Sequence, residues 1–211
     1  MIHQVHSSAA ASHSESDRLE QCKRVLLEEA AAICGLANRL DSRVAEVIEC
    51  FVKCRGAVIV AGMGKSGLIG AKISATLAAT GTRSFFLHPA EAQHGDLGRL
   101  GADDVGLVLS NSGETEEVVT LTTQMRLRGL PVVAVTASRE SSLGRAASTV
   151  IELGRVVEAC EWGFVPTTSA TMMVALGDAI ALGVSRTRGF TRNDFSAIHP
   201  GGPLGRLAPP R

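Results

Sequence analysis

The sequence predicts an α/β fold in three layers, a five-stranded parallel sheet sandwiched between helices. Three observations predict it. Short apolar runs at 57–61, 83–87, 105–109, 132–136 and 149–153 alternate with stretches of helical periodicity. Most of these runs are apolar at successive positions rather than at every second one, as suits strands buried on both faces. The turns after the first and third runs are rich in Gly and Ser, and ligands in such folds bind beyond the carboxyl ends of the strands.

The elements follow in order. Residues 1–16 hold no Lys or Arg and no apolar segment, so they are read as a disordered tail and not a signal peptide. One domain is expected over 17–211. Its first helix is capped by Asp17, turns Leu19, Cys22, Leu26, Ala30 and Ile33 inward, and ends at Gly35. A second runs from Asp41 to Lys53 with Val44, Val47, Ile48 and Phe51 inward. After the first strand come Gly62-Met63-Gly64-Lys65-Ser66-Gly67 and a helix to Gly81. After the third come Ser110-Asn111-Ser112-Gly113-Glu114-Thr115-Glu116-Glu117 and a helix through Val118, Leu121 and Met125. The helix over 167–185 is apolar nearly all round, which predicts burial or contact with a second chain.

Composition narrows the function. Lys plus Arg and Asp plus Glu both number 21, so nothing in the net charge draws the chain to nucleic acid or anionic membrane. The core is aliphatic, with one Trp and no Tyr. No apolar stretch is read as long enough to span a bilayer. The five Cys show no paired metal or redox spacing and are expected as small buried residues of a reducing compartment.

The 110–117 stretch carries the chemistry. Ser110, Ser112 and Thr115 offer hydroxyls, Gly113 lets backbone approach a ligand, and the new helix points unpaired N–H groups at the same place. Together they suit a phosphate, beyond what a plain helix cap needs. The 62–67 turn fits GxGxxG, but the acidic ribose partner is missing, since His88 stands where it should. It lacks the first Gly of a nucleotide-binding phosphate loop, because Ile59 is there. Its glycines are read as tight packing that offers Lys65 into a cleft. His88, Glu91, His94 and Asp96 follow the second strand, and substrate contact is preferred there over an obligatory metal. Glu158 follows the fifth strand, and His199 stands before Pro200-Gly201-Gly202; both are acid–base candidates. His3, His6 and His13 are read as part of a solvated tail.

Four stretches, 61–67, 88–89 with 94–98, 110–114 and 199–202, together resemble the D-arabinose 5-phosphate isomerase family. The resemblance runs over about 17–206. It implies a sugar isomerase domain, an α/β sandwich with a five-stranded parallel sheet. It also implies interconversion of D-ribulose 5-phosphate and D-arabinose 5-phosphate through an enediol, in supply of 3-deoxy-D-manno-octulosonate and lipopolysaccharide. By motif, the catalytic residues fall on Lys65, Glu117, Glu158 and His199. The base is Glu158 or Glu117, Lys65 steadies the enediolate, and His199 is acid or shuttle. Substrate contacts are expected from Gly64, Ser66, Gly81, Thr82, His88, His94, Ser110, Asn111, Ser112 and Thr115. No cofactor is required; His88 is tied to inhibitory zinc. The resemblance further implies a cytoplasmic homo-oligomer, a dimer of dimers with shared active sites, that binds neither nucleic acid nor membrane. Many members carry a pair of C-terminal regulatory modules, and the form without them is expected here. Rival readings are another sugar-phosphate isomerase of the same fold, or a sugar-phosphate sensor without catalysis.

Overall fold

A computed structural model describes residues 14–201. The expectations for 1–13, including His3, His6 and His13, and for 202–211 lie outside the described residues.

Five strands form one parallel sheet: β1 (Val58–Gly62), β2 (Ser84–Phe86), β3 (Val105–Leu109), β4 (Val132–Thr136) and β5 (Thr149–Glu152). Their spatial order is β2-β1-β3-β4-β5. The order reverses direction between β1 and β3, which opens a crevice beyond their carboxyl ends. Every residue of β1, β3 and β4 is buried. Alternation sorts their side chains between two cores. Val58, Val60, Leu107, Val133 and Val135 face one; Ile59, Ala61, Val108 and Ala134 face the other.

The first core is closed by α1 (Glu15–Arg39), α2 (Ser42–Lys53), α3 (Gly64–Ala79) and α7 (Thr168–Thr187). The second is closed by α4 (Pro89–Gln93), α5 (Glu116–Leu127) and α6 (Ser142–Ala146). The three-layer sandwich is therefore present. A last helix, α8 (Arg192–Ile198), ends at His199.

Several sequence expectations are corrected. Helix α1 begins earlier than Asp17: Ser14 is the cap, and Asp17 returns its carboxylate to the Ser14 N–H in a capping box. Residues 14–16 thus leave the expected tail. Gly35 does not end the helix, because the next residue, Leu36, is buried against the core and carries it on to Arg39. The inward stripe is Val25, Glu29, Ala32, Ile33 and Leu36, while Leu19, Leu26 and Leu27 are exposed. Glu29 accepts from the Thr171 hydroxyl (2.8 Å), a polar tie to α7 on the same face as core-packed Ala32, Ile33 and Leu36. All five cysteines are free, and none is fully buried.

Helix α7 meets the expectation of burial, but it is longer and more apolar than the sequence reading allowed. At 20 residues it is long and apolar enough, by composition, to cross a membrane. Here it is the central helix of the first core, with Met172, Met173, Leu176, Ile180, Ala181 and Val184 buried. Packing inside one chain buries 56% of the helix's apolar 18-residue window, and Leu182 is its one large exposed hydrophobic residue.

Candidate functional site

The 110–115 turn leaves β3 at the crevice. Ser110 is buried, and its hydroxyl oxygen accepts from the Gly113 N–H (3.1 Å) and lies 3.2 Å from the Thr115 hydroxyl. Ser112 is exposed and accepts from the Glu114 N–H at 3.2 Å. Gly113 has φ +69°, and a Cβ there would stand 2.2 Å from the Ser141 hydroxyl, so only glycine fits. The turn is fastened to the next strand's loop. Ala137 N–H donates to Asn111 O (2.9 Å), the Thr136 hydroxyl donates to the same carbonyl (3.3 Å), and Leu143 N–H donates to Gly113 O (2.9 Å). Glu114 accepts from Ser142 N–H (2.9 Å), and Ser142 chiefly holds its carboxyl below the ordinary range. Asn111 Oδ1 is buried with no partner.

Two helices begin at this crevice without side-chain caps. Helix α3 starts after Met63 and α5 after Thr115, and neither cap residue bonds the helix through its side chain. By contrast Ser14, Asp41, Ser141 and Thr191 all cap their own helices. The free N–H groups and the positive ends of two helices therefore meet the hydroxyl turn. Lys65 is exposed in the first turn of α3, between Gly64 and Ser66. Glu117 lies in the first turn of α5.

Strand β2 brings its own end to the crevice. Leu87 N–H donates to Val60 O (2.9 Å), so His88 leaves the sheet beside the end of β1. The His88 ring stands edge-on to Phe86 at 6.3 Å, and its Nδ1 is buried without a partner. His94 is exposed at the end of α4. No group of three His, Cys, Asp or Glu is gathered for a metal among the described residues.

Glu158 lies in the loop after β5, and sequence reasoning missed what surrounds it. Its Oε2 accepts from Thr167 N–H (2.8 Å), the Thr167 hydroxyl (3.3 Å) and Ser169 N–H (3.2 Å), while Oε1 accepts from the Ser169 hydroxyl. It is the cap of α7, a role that Thr167, the residue in the cap position, does not fill. Burial pushes its carboxyl up, but the bonds from Ser169 and Thr167 outweigh burial and hold it below the ordinary range. The signal was visible as Thr167, Thr168 and Ser169 opening a helix. Glu158 also lines a cleft of about 630 Å³ with Arg24, Arg39, Arg155, Thr168 and Met172, which Lys65 and Glu117 do not line. Helix α7 links the two places: Met173, one turn beyond Ser169, accepts a long 3.9 Å contact from the Ser66 hydroxyl.

The expected site residues divide between the two edges of the sheet. Gly64, Lys65, Ser66, His88, Ser110, Asn111, Ser112, Thr115, Glu117 and Glu158 belong to the carboxyl edge. Gly81 and Thr82 precede β2, at the amino edge. Thr82 is buried and accepts from Arg188 (3.4 Å), and the Phe190 ring packs on Gly81, whose φ is +87°. Arg188 also donates to Phe51 O (2.6 Å), which ties the end of α7 to α2. Helix α8 departs from this amino edge and carries His199. The His199 Nδ1 lies 2.8 Å from Phe195 O, a carbonyl that only accepts, so Nδ1 bears the proton and Nε2 is left for other partners. The ring stacks on Phe195 at 3.9 Å.

The chain is similar in sequence and fold to known proteins. Arabinose 5-phosphate isomerase KpsF of Escherichia coli O6:H1 is 45% identical over 185 residues, 87% of this chain and 57% of its own length. Arabinose 5-phosphate isomerase KdsD of Pseudomonas aeruginosa is 44% identical over 190 residues, 90% of this chain and 58% of its own. The chain thus spans a little over half the length of these curated relatives. The solved structure of E. coli CFT073 c3406 in complex with arabinose 5-phosphate matches with a TM-score of 0.86 at 37% identity, over 89% of this chain and 100% of that one. The SIS domain matches residues 51–183, which run from the end of α2 through all five strands into α7 and include both turns of the crevice; the chain belongs to the SIS domain family.

Proposed function

We propose that this chain is an aldose–ketose isomerase that interconverts D-ribulose 5-phosphate and D-arabinose 5-phosphate. The observation that carries the reading is the crevice between β1 and β3. There a fastened hydroxyl turn and two helix starts without side-chain caps offer a phosphate site, with Lys65 beside it. Relatives at 44–45% identity that bear the name arabinose 5-phosphate isomerase, and a structure in complex with that sugar phosphate, support the choice of sugar. In this reading Ser110, Ser112 and Thr115 hold the phosphate. Asn111 Oδ1 accepts from a sugar hydroxyl. A carboxylate, Glu158 or Glu117, moves the proton between C1 and C2, Lys65 steadies the enediolate oxygen, and His199 Nε2 serves as acid or shuttle. No redox cofactor is needed for that step. The product would feed 3-deoxy-D-manno-octulosonate and lipopolysaccharide synthesis in the cytoplasm.

The same reading includes a homotetramer with sites shared between chains. What supports it is that Gly81 and Thr82 lie at the amino edge of the sheet, away from the crevice, and that His199 follows α8, which begins a few residues after the Phe190 contact with Gly81. Leu19, Leu26 and Leu27 on α1, with Trp162 and Phe164 on the loop after Glu158, leave apolar surface exposed for a second chain. The test of function is incubation with ribulose 5-phosphate and identification of the product. Arabinose 5-phosphate is expected; a different aldose, or none, overturns the reading.

A further inference from the structure

Helix capping uses one oxygen of Glu158 and leaves the other over. Oε2 already accepts from the N–H of Thr167, in the cap position, and from that of Ser169, in the first turn of α7. The Thr167 hydroxyl joins that same oxygen and also accepts from Ala159 N–H (3.0 Å), so it serves the loop. The Ser169 hydroxyl alone, among the described residues, goes to Oε1. Ser169 is itself only 2% exposed and sits on a helix held on several sides by the first core. A buried hydroxyl spent on the oxygen that capping does not need fixes the rotation of the carboxylate about its last bond.

We propose that Ser169 is a positioning residue of the proton-transfer step: its hydroxyl aims the Oε1 oxygen of Glu158 at the substrate carbon. This rests on the isomerase reading and takes Glu158, rather than Glu117, as the base. The hydroxyl also favours the ionised carboxylate, the form a base must have, against burial that opposes it. The other titratable groups lining the same cleft are Arg24, Glu28 and Arg39 on α1, and Arg155 and Cys160 on the loop of Glu158; α7 contributes the neutral Thr168 and Met172. Arg24 is engaged with Glu28 and with Ala159 O, and Arg39 donates to Leu153 O.

The test compares Ser169→Ala, Ser169→Cys and Ser169→Thr with the wild type. Each is followed by the pH dependence of kcat/KM and by carbon NMR titration of the Glu158 carboxyl, assigned through Glu158→Gln. Ser169→Ala should lower kcat with KM held within about two-fold, since the hydroxyl does not touch the phosphate end. Its acid limb should move to higher pH, so that the loss is at least about five-fold greater near pH 5 than near pH 8. The Glu158 carboxyl should titrate at higher pH in step. Ser169→Thr, which keeps the hydroxyl, should restore both, and Ser169→Cys, a weak donor, should fall between. If Ser169→Ala is too unstable to assay, the Cys and Thr variants give the same contrast. An unmoved acid limb, with or without a moved carboxyl titration, overturns the proposal and leaves Ser169 a helix-capping residue. A wild type that isomerises no sugar phosphate overturns the isomerase reading instead, and is told apart because the carboxyl titration is read without turnover.

Discussion

Ser110 and Ser112 are two hydroxyls of one turn with different duties. Ser110 is buried and holds the turn's own backbone, whereas Ser112 is partly open to solvent and is the freer to meet a phosphate. Ser112→Ala should therefore weaken substrate binding by about 1–3 kcal/mol, seen as a raised KM with the unfolding temperature unchanged. Ser110→Ala should lower the unfolding temperature as well. Equal behaviour of the two variants in a thermal melt would reject this division. The family resemblance ties His88, whose buried Nδ1 has no partner, to inhibitory zinc, so added zinc should inhibit the protein and His88→Ala should relieve that inhibition. Activity in EDTA should persist; loss restored by a divalent ion would reject the metal-independent step. The hydroxyls were legible in the sequence because they crowd one strand-to-helix turn. The clamp on Glu158 was not, since its donors stand nine and eleven residues on and meet it only through the loop's fold.

Strands with a continuous apolar run and most long helices were read to within a residue or two, while the end of α1 was set four residues short. Strands β3 and β4 are found where the sequence placed them. The short helices α4, α6 and α8 were not read, because five to seven residues complete too few turns to show a period. The inward face of α1 was misread, because large apolar residues at 19, 26 and 27 lie on the exposed face while the inward face carries Glu29, which bonds Thr171. Capping carries a prediction at this scale. Asp41 caps α2 and pairs with Arg43, which together hold its carboxyl down at about 2. Glu158 caps α7 and is also held below its ordinary value. A carboxyl depressed in the folded state lends stability above its unfolded value, and that stability is lost as pH falls through the folded one. The unfolding temperature should thus hold steady down to the ordinary carboxylate range and decline below it. The decline should still be incomplete near the folded Asp41 value of about 2. Glu158→Gln should lower the neutral unfolding temperature and flatten the acid decline; a parallel shift of the whole curve would reject the role of this cap.

At the scale of the molecule, the sequence offered candidate site residues but did not show that Gly81 and Thr82 part company from the rest. Motifs far apart in sequence carry no sign of which end of a strand they reach until the strand direction and order are known. The order β2-β1-β3-β4-β5 sets Lys65 and Glu158 at one edge, and Gly81 and Thr82 at the other. The shared site predicts complementation. Glu158→Gln and His199→Ala should each be nearly inactive, and a refolded mixture should regain activity in hybrids that hold one intact site. Proven hybrids without activity would reject it. The exposed leucines of α1 bear on the same point. If the site is completed by a second copy, dilution below the dissociation constant of that assembly should leave each copy folded while turnover per copy collapses, so that abundance itself would set a threshold for output.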